Sequence, residues 1–149
     1  MGNYKIYLCG GMSKFAKENY NESNDWRVYC KRILKNYSDC FNCLYNVIVI
    51  NPNEYFNFYD EVPAYKTQSE VMRLDLHKLR NSDLVVANFN DMYSLGSMAE
   101  IAIAYDRGIP IIGLDVDNQN LHPWQVCMCE RIFDNIDEML DYIENFYLR

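Results

Sequence analysis

Short apolar runs rich in β-branched residues recur along the chain at intervals that suit a parallel sheet. Four such runs predict strands, at residues 5–10 (KIYLCG), 46–52 (NVIVINP), 83–89 (DLVVANF) and 109–115 (IPIIGLD). Their nearly continuous apolar character is typical of strands that are covered on both faces. The pattern therefore favours a sheet that is buried between layers of helix.

Helical periodicity fills the intervals between these runs. It predicts helices over 24–37, 69–83 and 96–108, and an amphipathic helix over 136–148. Alternating strands and helices of this length indicate an α/β fold, a doubly wound, flavodoxin/Rossmann-like parallel sheet sandwiched by helices, with right-handed crossovers. The length of 149 residues, with no linker or repeat, predicts a single domain over 1–149.

One long segment, residues 51–70, fits neither pattern. It is rich in Tyr and Phe and is interrupted by Pro52 and Pro63. Loops of this length in compact domains usually form lids or binding loops. We expect either a wall or lid over a site, or an aromatic pad against a partner subunit.

Charge and hydropathy exclude some classes of function. The formal net charge is −7, from 21 acidic and 14 basic residues, and no Lys/Arg cluster stands out. A nucleic-acid polymer is therefore not expected as a partner, although backbone N–H groups still suit a small phosphorylated ligand. No apolar run approaches about 20 residues and none resembles a signal peptide, so we expect a cytoplasmic protein without a membrane partner.

Six cysteines raise the question of a metal site. The pairs Cys40/Cys43 and Cys127/Cys129 suggest zinc ligands, but their spacing matches no common four-ligand site. Reduced thiols that pack in the interior are the default interpretation, so neither metal nor cofactor is predicted.

Two carboxyl groups stand out as candidates for chemistry. Glu100 is an isolated charge in the apolar stretch SLGSMAEIAIAY (94–105), near the helix start that follows the third strand. A helix N-terminus favours negative charge, on a glutamate or on a bound phosphate. The alternative is that Glu100 completes a capping box with Ser97, three residues earlier.

Asp75 is the second candidate, because helical spacing places it within an apolar stripe. That stripe consists of Val71, Met72, Leu74, Leu76 and Leu79. Burial would raise the pKa of the carboxyl group and suit it to donate a proton. The alternative is an ion pair with Arg73, Lys78 or Arg80 at the edge of the stripe.

A pair of carboxyl groups in different protonation states is what cleavage of a glycosidic bond requires. Other catalytic patterns are missing from the sequence: there is no P-loop, no dinucleotide fingerprint and no Ser-His-Asp triad, and the only histidines are His77 and His122.

Four blocks of the sequence carry a resemblance to a known family: IYLCGGM, DLHKLRNSDLVVANFND, SLGSMAEIAIAYDRGIPIIGL and NLHPW. They resemble the nucleoside 2-deoxyribosyltransferases, together with the related nucleoside 5'-monophosphate N-glycosidases. The resemblance implies cleavage of the N-glycosidic bond of a 2'-deoxynucleoside, with transfer of the deoxyribosyl group to another base or to water. The implied partners are a nucleoside or its 5'-monophosphate, a free nucleobase, and further copies of this chain in a homo-oligomer.

The resemblance also implies roles for particular residues. Glu100 matches the nucleophile that forms a covalent glycosyl intermediate, Asp75 the acid that assists the leaving base, and Tyr7 the tyrosine that positions the nucleophile. Asn120 and His122, in the NLHPW block, match a segment that completes the site of a neighbouring subunit. The expected substrate-binding residues at the carboxyl ends of the strands are Gly10, Gly11, Asn88, Ser94, Gly96 and Ser97.

Ser94 decides between two expectations for the substrate. Transferases acting on free nucleosides place an Asp there, whereas Ser-Leu-Gly resembles the monophosphate hydrolases, in which Ser and Gly hold the 5'-phosphate. The first loop, however, offers only Lys14 as a basic residue. Alternatives to a transferase are therefore a nucleoside 5'-monophosphate N-glycosidase and a non-catalytic nucleotide-binding or sequestering protein.

Overall fold

Five parallel strands form one sheet at the centre of the molecule, in the order β2-β1-β3-β4-β5. The computed structural model describes residues 2–12, 19–40, 43–55 and 65–149. The strands are β1 (Gly2–Gly10), β2 (Tyr45–Ile50), β3 (Leu84–Asn88), β4 (Ile111–Leu114) and β5 (Arg131–Phe133). The predicted α/β class and parallel sheet are confirmed.

Five helices of the described residues cover the sheet. They are α1 (Tyr20–Ser38), α2 (Gln68–Arg80), α3 (Leu95–Asp106), α4 (Pro123–Met128) and α5 (Ile136–Phe146). The sequence pattern predicted four of these helices and four of the strands. It missed α4, which has six residues, and β5, which has three, because segments this short show no clear periodicity.

Two hydrophobic clusters separate the faces of the sheet. On one face, α1 and α5 pack through Leu34 and Met139 on Ile6 and Leu8 of β1. The opposite cluster contains Tyr7 and Cys9 of β1 and buried residues of α2 and α3. Because side chains alternate along a strand, β1 directs Tyr7 towards α2 and α3.

The apolar stripe predicted on α2 is narrower than expected, and α3 is also partly exposed. Met72 and Leu74 of α2 are 55% and 40% exposed, and Tyr105 of α3 is 57% exposed. The reason is that α2 and α3 each bury one edge on the sheet, while positions about 100° away from that edge face solvent. The helix carrying Glu100 is therefore apolar but not enclosed on all sides.

Part of the predicted lid lies outside the described residues. Pro52–Glu54 forms a short 3-10 turn after β2, and α2 begins at Gln68, but residues 56–64, with Pro63, are not described. Ser13 and Lys14 of the first loop lie outside them as well. Among the described residues, the search for a helix long and apolar enough to cross a membrane found none.

Candidate active site

A cavity of about 550 Å³ opens beside the carboxyl end of β1, where α2 and α3 face each other. The chain order of the sheet reverses between β1 and β3, and ligands of doubly wound folds bind at this point. The cavity is lined by Gly10, Met12, Gln68, Ser69, Val71, Met72, Asp75, Leu76, Ser94, Gly96, Ser97, Ala99 and Glu100. Its volume is in the range of small-ligand sites.

The start of α3 places Glu100 in this cavity. Ser94 is the N-cap of the helix, and its hydroxyl accepts a hydrogen bond of 3.3 Å from the backbone N–H of Ser97. Glu100 is six residues beyond the cap, so the proposed capping box with Ser97 is wrong. Its Oε2 atom is buried and has no hydrogen-bond partner in the described structure, which leaves it available to a ligand.

Asp75 enters the same cavity from α2. A capping box between Thr67 and Glu70 fixes the start of this helix, and Asp75 lies about two turns later, 9% exposed. No ion pair joins it to a described basic residue, and its Oδ1 atom is buried without a hydrogen-bond partner. The alternative of an edge ion pair therefore does not hold for the described structure.

Tyr7 lies beneath both carboxyl groups. Its side chain is completely buried, and its hydroxyl favours the ionised form of Glu100. In the described structure this hydroxyl has no hydrogen-bond partner. Burial raises the pKa of Tyr7 far above its usual value, and the nearby carboxyl groups raise it further. The Tyr7 hydroxyl therefore stays protonated at neutral pH.

Removal from water shifts the protonation of both carboxyl groups. Burial raises the pKa of Glu100 to about 7, against the opposing effects of Tyr7 and Arg27. Burial, followed by the charge of Glu100, raises the pKa of Asp75 to about 7. Near neutral pH the pair can hold one proton and one negative charge, the combination that glycosidic cleavage requires.

A buried arginine is a part of the site that the sequence pattern did not predict. Arg27 of α1 is completely buried and lies beside Gly10 at the end of β1. A signal was present, since the buried positions Ser23, Arg27, Cys30, Leu34 and Ser38 recur every three or four residues. The pattern alone does not assign Arg27 to the interior, because a charged residue is rarely buried completely.

The predicted substrate-binding residues divide into two groups. Gly10, Ser94, Gly96 and Ser97 line the cavity together with Glu100 and Asp75. The Oγ atom of Ser97 is buried without a hydrogen-bond partner in the described structure, so a ligand could satisfy it.

Gly11 and Asn88 belong to the second group, which supports the cavity without lining it. The backbone N–H of Gly11 donates to Oδ1 of Asn90 at 3.0 Å, which ties the loop after β1 to the turn after β3. Asn88 is buried at the end of β3, paired in register with Gly10.

Asn120 and His122 do not line the cavity of their own chain. Both are exposed, and Nδ1 of His122 accepts a hydrogen bond of 3.1 Å from the backbone N–H of Trp124 to cap α4. Trp124 itself is 68% exposed. These residues present a partly apolar, exposed surface that is not part of the cavity lining.

Two further features concern the end of β4 and the cysteines. Asp115 and Asn118, after β4, line a separate cavity of about 280 Å³ rather than the one with the carboxyl pair. All six cysteines are free thiols, and within the described ranges no cluster of three or more His, Cys, Asp or Glu side chains could hold a metal ion.

The fold and the paired carboxyl groups define a class of protein, an α/β protein with a site suited to glycosyl chemistry. A model of the family "Nucleoside 2-deoxyribosyltransferase" matches residues 6–142. The chain belongs to this family, which confirms the resemblance of its motifs. Membership indicates an enzyme that transfers or cleaves glycosyl groups and acts on small nucleosides or nucleotides.

Solved structures of the same fold include a conserved protein from Enterococcus faecalis V583, with a TM-score of 0.74, 19% identity, and 97% of this chain and 99% of that chain covered. A 2-deoxyribosyltransferase from Bacillus psychrosaccharolyticus has a TM-score of 0.69 and 16% identity, and the match covers 93% of this chain and 91% of that chain. A CMP N-glycosidase from Clostridium botulinum has a TM-score of 0.59 and 16% identity, and the match covers 95% of this chain and 98% of that chain. No curated protein matches the sequence significantly.

The raised pKa of Glu100 predicts that this residue destabilises the fold at alkaline pH. Between the ordinary pKa of 4.5 and the folded value of about 7, the folded chain keeps a proton that the unfolded chain has lost, so stability falls as pH rises through this window. Glu100→Gln removes the effect. We expect the variant to be more stable than the wild type by on the order of 2 kcal/mol near pH 8, but by little near pH 5, in urea unfolding.

Asp106→Asn provides the control, because Asp106 lies exposed at the end of the same helix. Its stability difference from the wild type should not change between the two pH values. An advantage of Glu100→Gln that is equal at both pH values would contradict the assignment of the shift to Glu100.

Proposed function

We propose that the protein cleaves the N-glycosidic bond of 2'-deoxynucleosides through a covalent glycosyl–Glu100 intermediate and passes the deoxyribosyl group to a second base or to water. The observation that carries the proposal is a pair of buried carboxyl oxygens, of Glu100 and Asp75, that share one cavity and have no hydrogen-bond partner among the described residues. A protein that only binds nucleotides has no use for two such groups, since each costs stability when ionised.

In the first step the ionised carboxylate of Glu100 attacks C1' of the sugar. The C1'–N bond breaks, and its electron pair leaves with the base. The carboxyl group of Asp75 gives its proton to the departing base, which makes that base a better leaving group. The hydroxyl of Tyr7 holds the Glu100 carboxylate in place and remains protonated throughout.

In the second step a nitrogen of another base, or a water molecule, attacks C1'. The bond between C1' and the Glu100 oxygen breaks and restores the carboxylate, while Asp75 accepts the proton of the incoming group. The apolar walls formed by Met12, Met72 and Leu76 suit the flat faces of a base. The identity of the acceptor alone separates transfer from hydrolysis.

A second candidate, a nucleoside 5'-monophosphate N-glycosidase, is favoured by the start of α3. Leu95 and Gly96 are in the first turn, where backbone N–H groups have no partner within the helix. The hydroxyls of Ser94 and Ser97 line the cavity beside them. Together these donors suit a phosphate, which a carboxylate at position 94 would repel.

The catalytic roles are tested by base release and base exchange. Purified protein is incubated with each 2'-deoxynucleoside and each 5'-monophosphate, with and without free adenine, and the bases are separated by chromatography. We expect Glu100→Gln to lose several orders of magnitude in turnover on every substrate. Asp75→Asn should lose most on substrates with poor leaving bases, because it removes the proton donor.

Asp106→Asn, on the exposed end of α3, serves as the matched control and should keep wild-type rates. Near-normal turnover by Glu100→Gln would remove Glu100 from the reaction. Equal losses of Asp75→Asn on good and poor leaving bases would remove Asp75 from proton transfer.

Substitutions at Ser94 separate the two substrate classes. If Ser94 donates to a phosphate, 5'-monophosphates should show a kcat/KM at least about tenfold above that of their nucleosides, since a hydrogen bond to a charged group contributes about 1.5–3 kcal/mol. Ser94→Asp keeps a good N-cap but adds a negative charge, so it should reverse this preference. Ser94→Asn, a neutral N-cap, is the control for helix stability.

Equal kcat/KM values for both substrate classes, unchanged in Ser94→Asp, would contradict phosphate binding. The protein would then act on free nucleosides.

The exposed positions of Asn120 and His122 lead us to propose a homo-oligomer in which this loop completes a partner's site. A Glu100→Ala protein is mixed with a protein that carries both Asn120→Ala and His122→Ala, each inactive alone. If sites are shared, random exchange in a dimer should restore about a quarter of wild-type activity, because half of the dimers are mixed and each contains one intact site.

A mixture of Glu100→Ala with Glu100→Gln is the control and should restore nothing. A fully active monomer in analytical ultracentrifugation would contradict the proposal.

A further inference from the structure

Arg27 is a buried cation with no acidic partner in direct contact. Its side chain is completely buried, and no carboxylate of the described residues lies within 4.0 Å of it. Its guanidinium instead donates to backbone carbonyl oxygens, those of Leu8 (3.4 Å), Gly10 (3.0 Å) and Ser23. The face of Trp26 lies 4.7 Å from the guanidinium carbon. Burial of an isolated charge is costly, so its retention needs a reason.

The end of β1 brings this charge to the cavity. Arg27 belongs to α1, on the opposite face of the sheet from the carboxyl pair. Gly10 has no side chain, and a Cβ atom there would lie 3.3 Å from Nη2 of Arg27 and 2.9 Å from Cζ2 of Trp26. The guanidinium therefore packs against the backbone that lines the cavity.

Among the described residues, the charged and titratable groups around Arg27 come from four elements. Cys30 is the group on α1 itself, and burial raises the pKa of its thiol to about 12, so it stays neutral. Tyr7 and Cys9 face Arg27 from β1, Asp75 from α2 and Glu100 from α3. Burial raises the pKa of both Tyr7 and Cys9, so these two groups stay neutral. Lys78 of α2 faces Asp75 as well. Among the described residues, Glu100 and Asp75 are therefore the groups that can supply the negative charge to balance Arg27.

We propose that Arg27 is a positioning residue that fixes the charge of the site, so that one of the two carboxyl groups is ionised and the other keeps its proton. With Arg27 present, one carboxylate gives a neutral buried cluster, whereas no carboxylate leaves a net positive charge and two leave a net negative charge. Arg27 thus holds Glu100 and Asp75 in the state from which the proposed reaction starts, without touching the substrate itself. The consequence for catalysis rests on the proposed function, whereas the electrostatic effect of Arg27 on the two carboxyl groups does not.

The test compares variants that remove the charge with one that keeps it. Arg27→Met removes the charge and all donors, Arg27→Gln removes the charge but keeps an N–H donor, and Arg27→Lys keeps the charge. Arg32→Gln is the control, because Arg32 lies exposed on the same helix. Two quantities are measured, the acidic limb of the pH profile of kcat/KM and the 13C carboxyl titration of Glu100, whose signal is assigned by its loss in Glu100→Gln.

We expect the midpoints of the acidic limb and of the Glu100 titration to rise by about one pH unit or more in Arg27→Met and Arg27→Gln. The reason is that a neighbouring positive charge favours the ionised carboxylate, and both variants remove that charge. Arg27→Lys and Arg32→Gln should stay close to the wild type. The NMR titration needs no turnover, so it decides the electrostatic role even if Glu100→Gln proves active and the proposed function falls.

Either of two results would overturn the proposal. One is an unmoved Glu100 titration in a folded neutral variant whose only change is a lower Tm, which would make Arg27 purely structural. The other is failure of both neutral variants to fold, which would assign Arg27 to the integrity of the fold.

Discussion

Exclusion of water from the carboxyl end of β1 is the constraint on which the chemistry of this protein depends. Glu100, Asp75 and Tyr7 share a space between α2, α3 and the sheet in which ionised groups are poorly solvated. In water both carboxyl groups would be ionised at neutral pH, and neither would hold a proton to give. Burial raises both pKa values to about 7. Modest interactions with neighbouring charged groups can then decide which carboxyl group is ionised and which keeps its proton.

The fold supplies this environment through the geometry of a single strand. Alternation along β1 places Tyr7 on the face of α2 and α3, while Ile6 and Leu8 anchor the strand in the core of the other face. The strand ends at Gly10, where the missing side chain lets Arg27 approach from the opposite layer. One strand thus connects the core, the candidate site and the buried cation.

Such a site is costly to stability, and the rest of the molecule offsets that cost. Buried groups without hydrogen-bond partners destabilise a folded chain. In the part of the chain that the structure describes, one such atom belongs to each of Tyr7, Asp75, Ser97 and Glu100. A substrate that supplies the missing partners would relieve this cost on binding. The two apolar clusters on the faces of the parallel sheet provide the stability that makes such a site tolerable.

The sequence by itself determined the class of fold, because apolar runs and helical periodicity follow directly from which residues are buried. It also determined the family, because each motif block is a continuous stretch of residues. It also singled out Glu100 and Asp75, since a charged residue within an apolar stretch can be recognised from the sequence alone. It missed β5 and α4, which are too short to show a period.

The tertiary structure alone decided which of the candidates meet. It brought Ser94, Ser97, Asp75 and Glu100 around one cavity and left Asn120 and His122 outside its lining. It also placed Arg27 against Gly10, an approach between two layers that no local pattern encodes. The protonation of the carboxyl pair follows from burial and through-space charge, and both depend on distances between elements that are far apart in the chain.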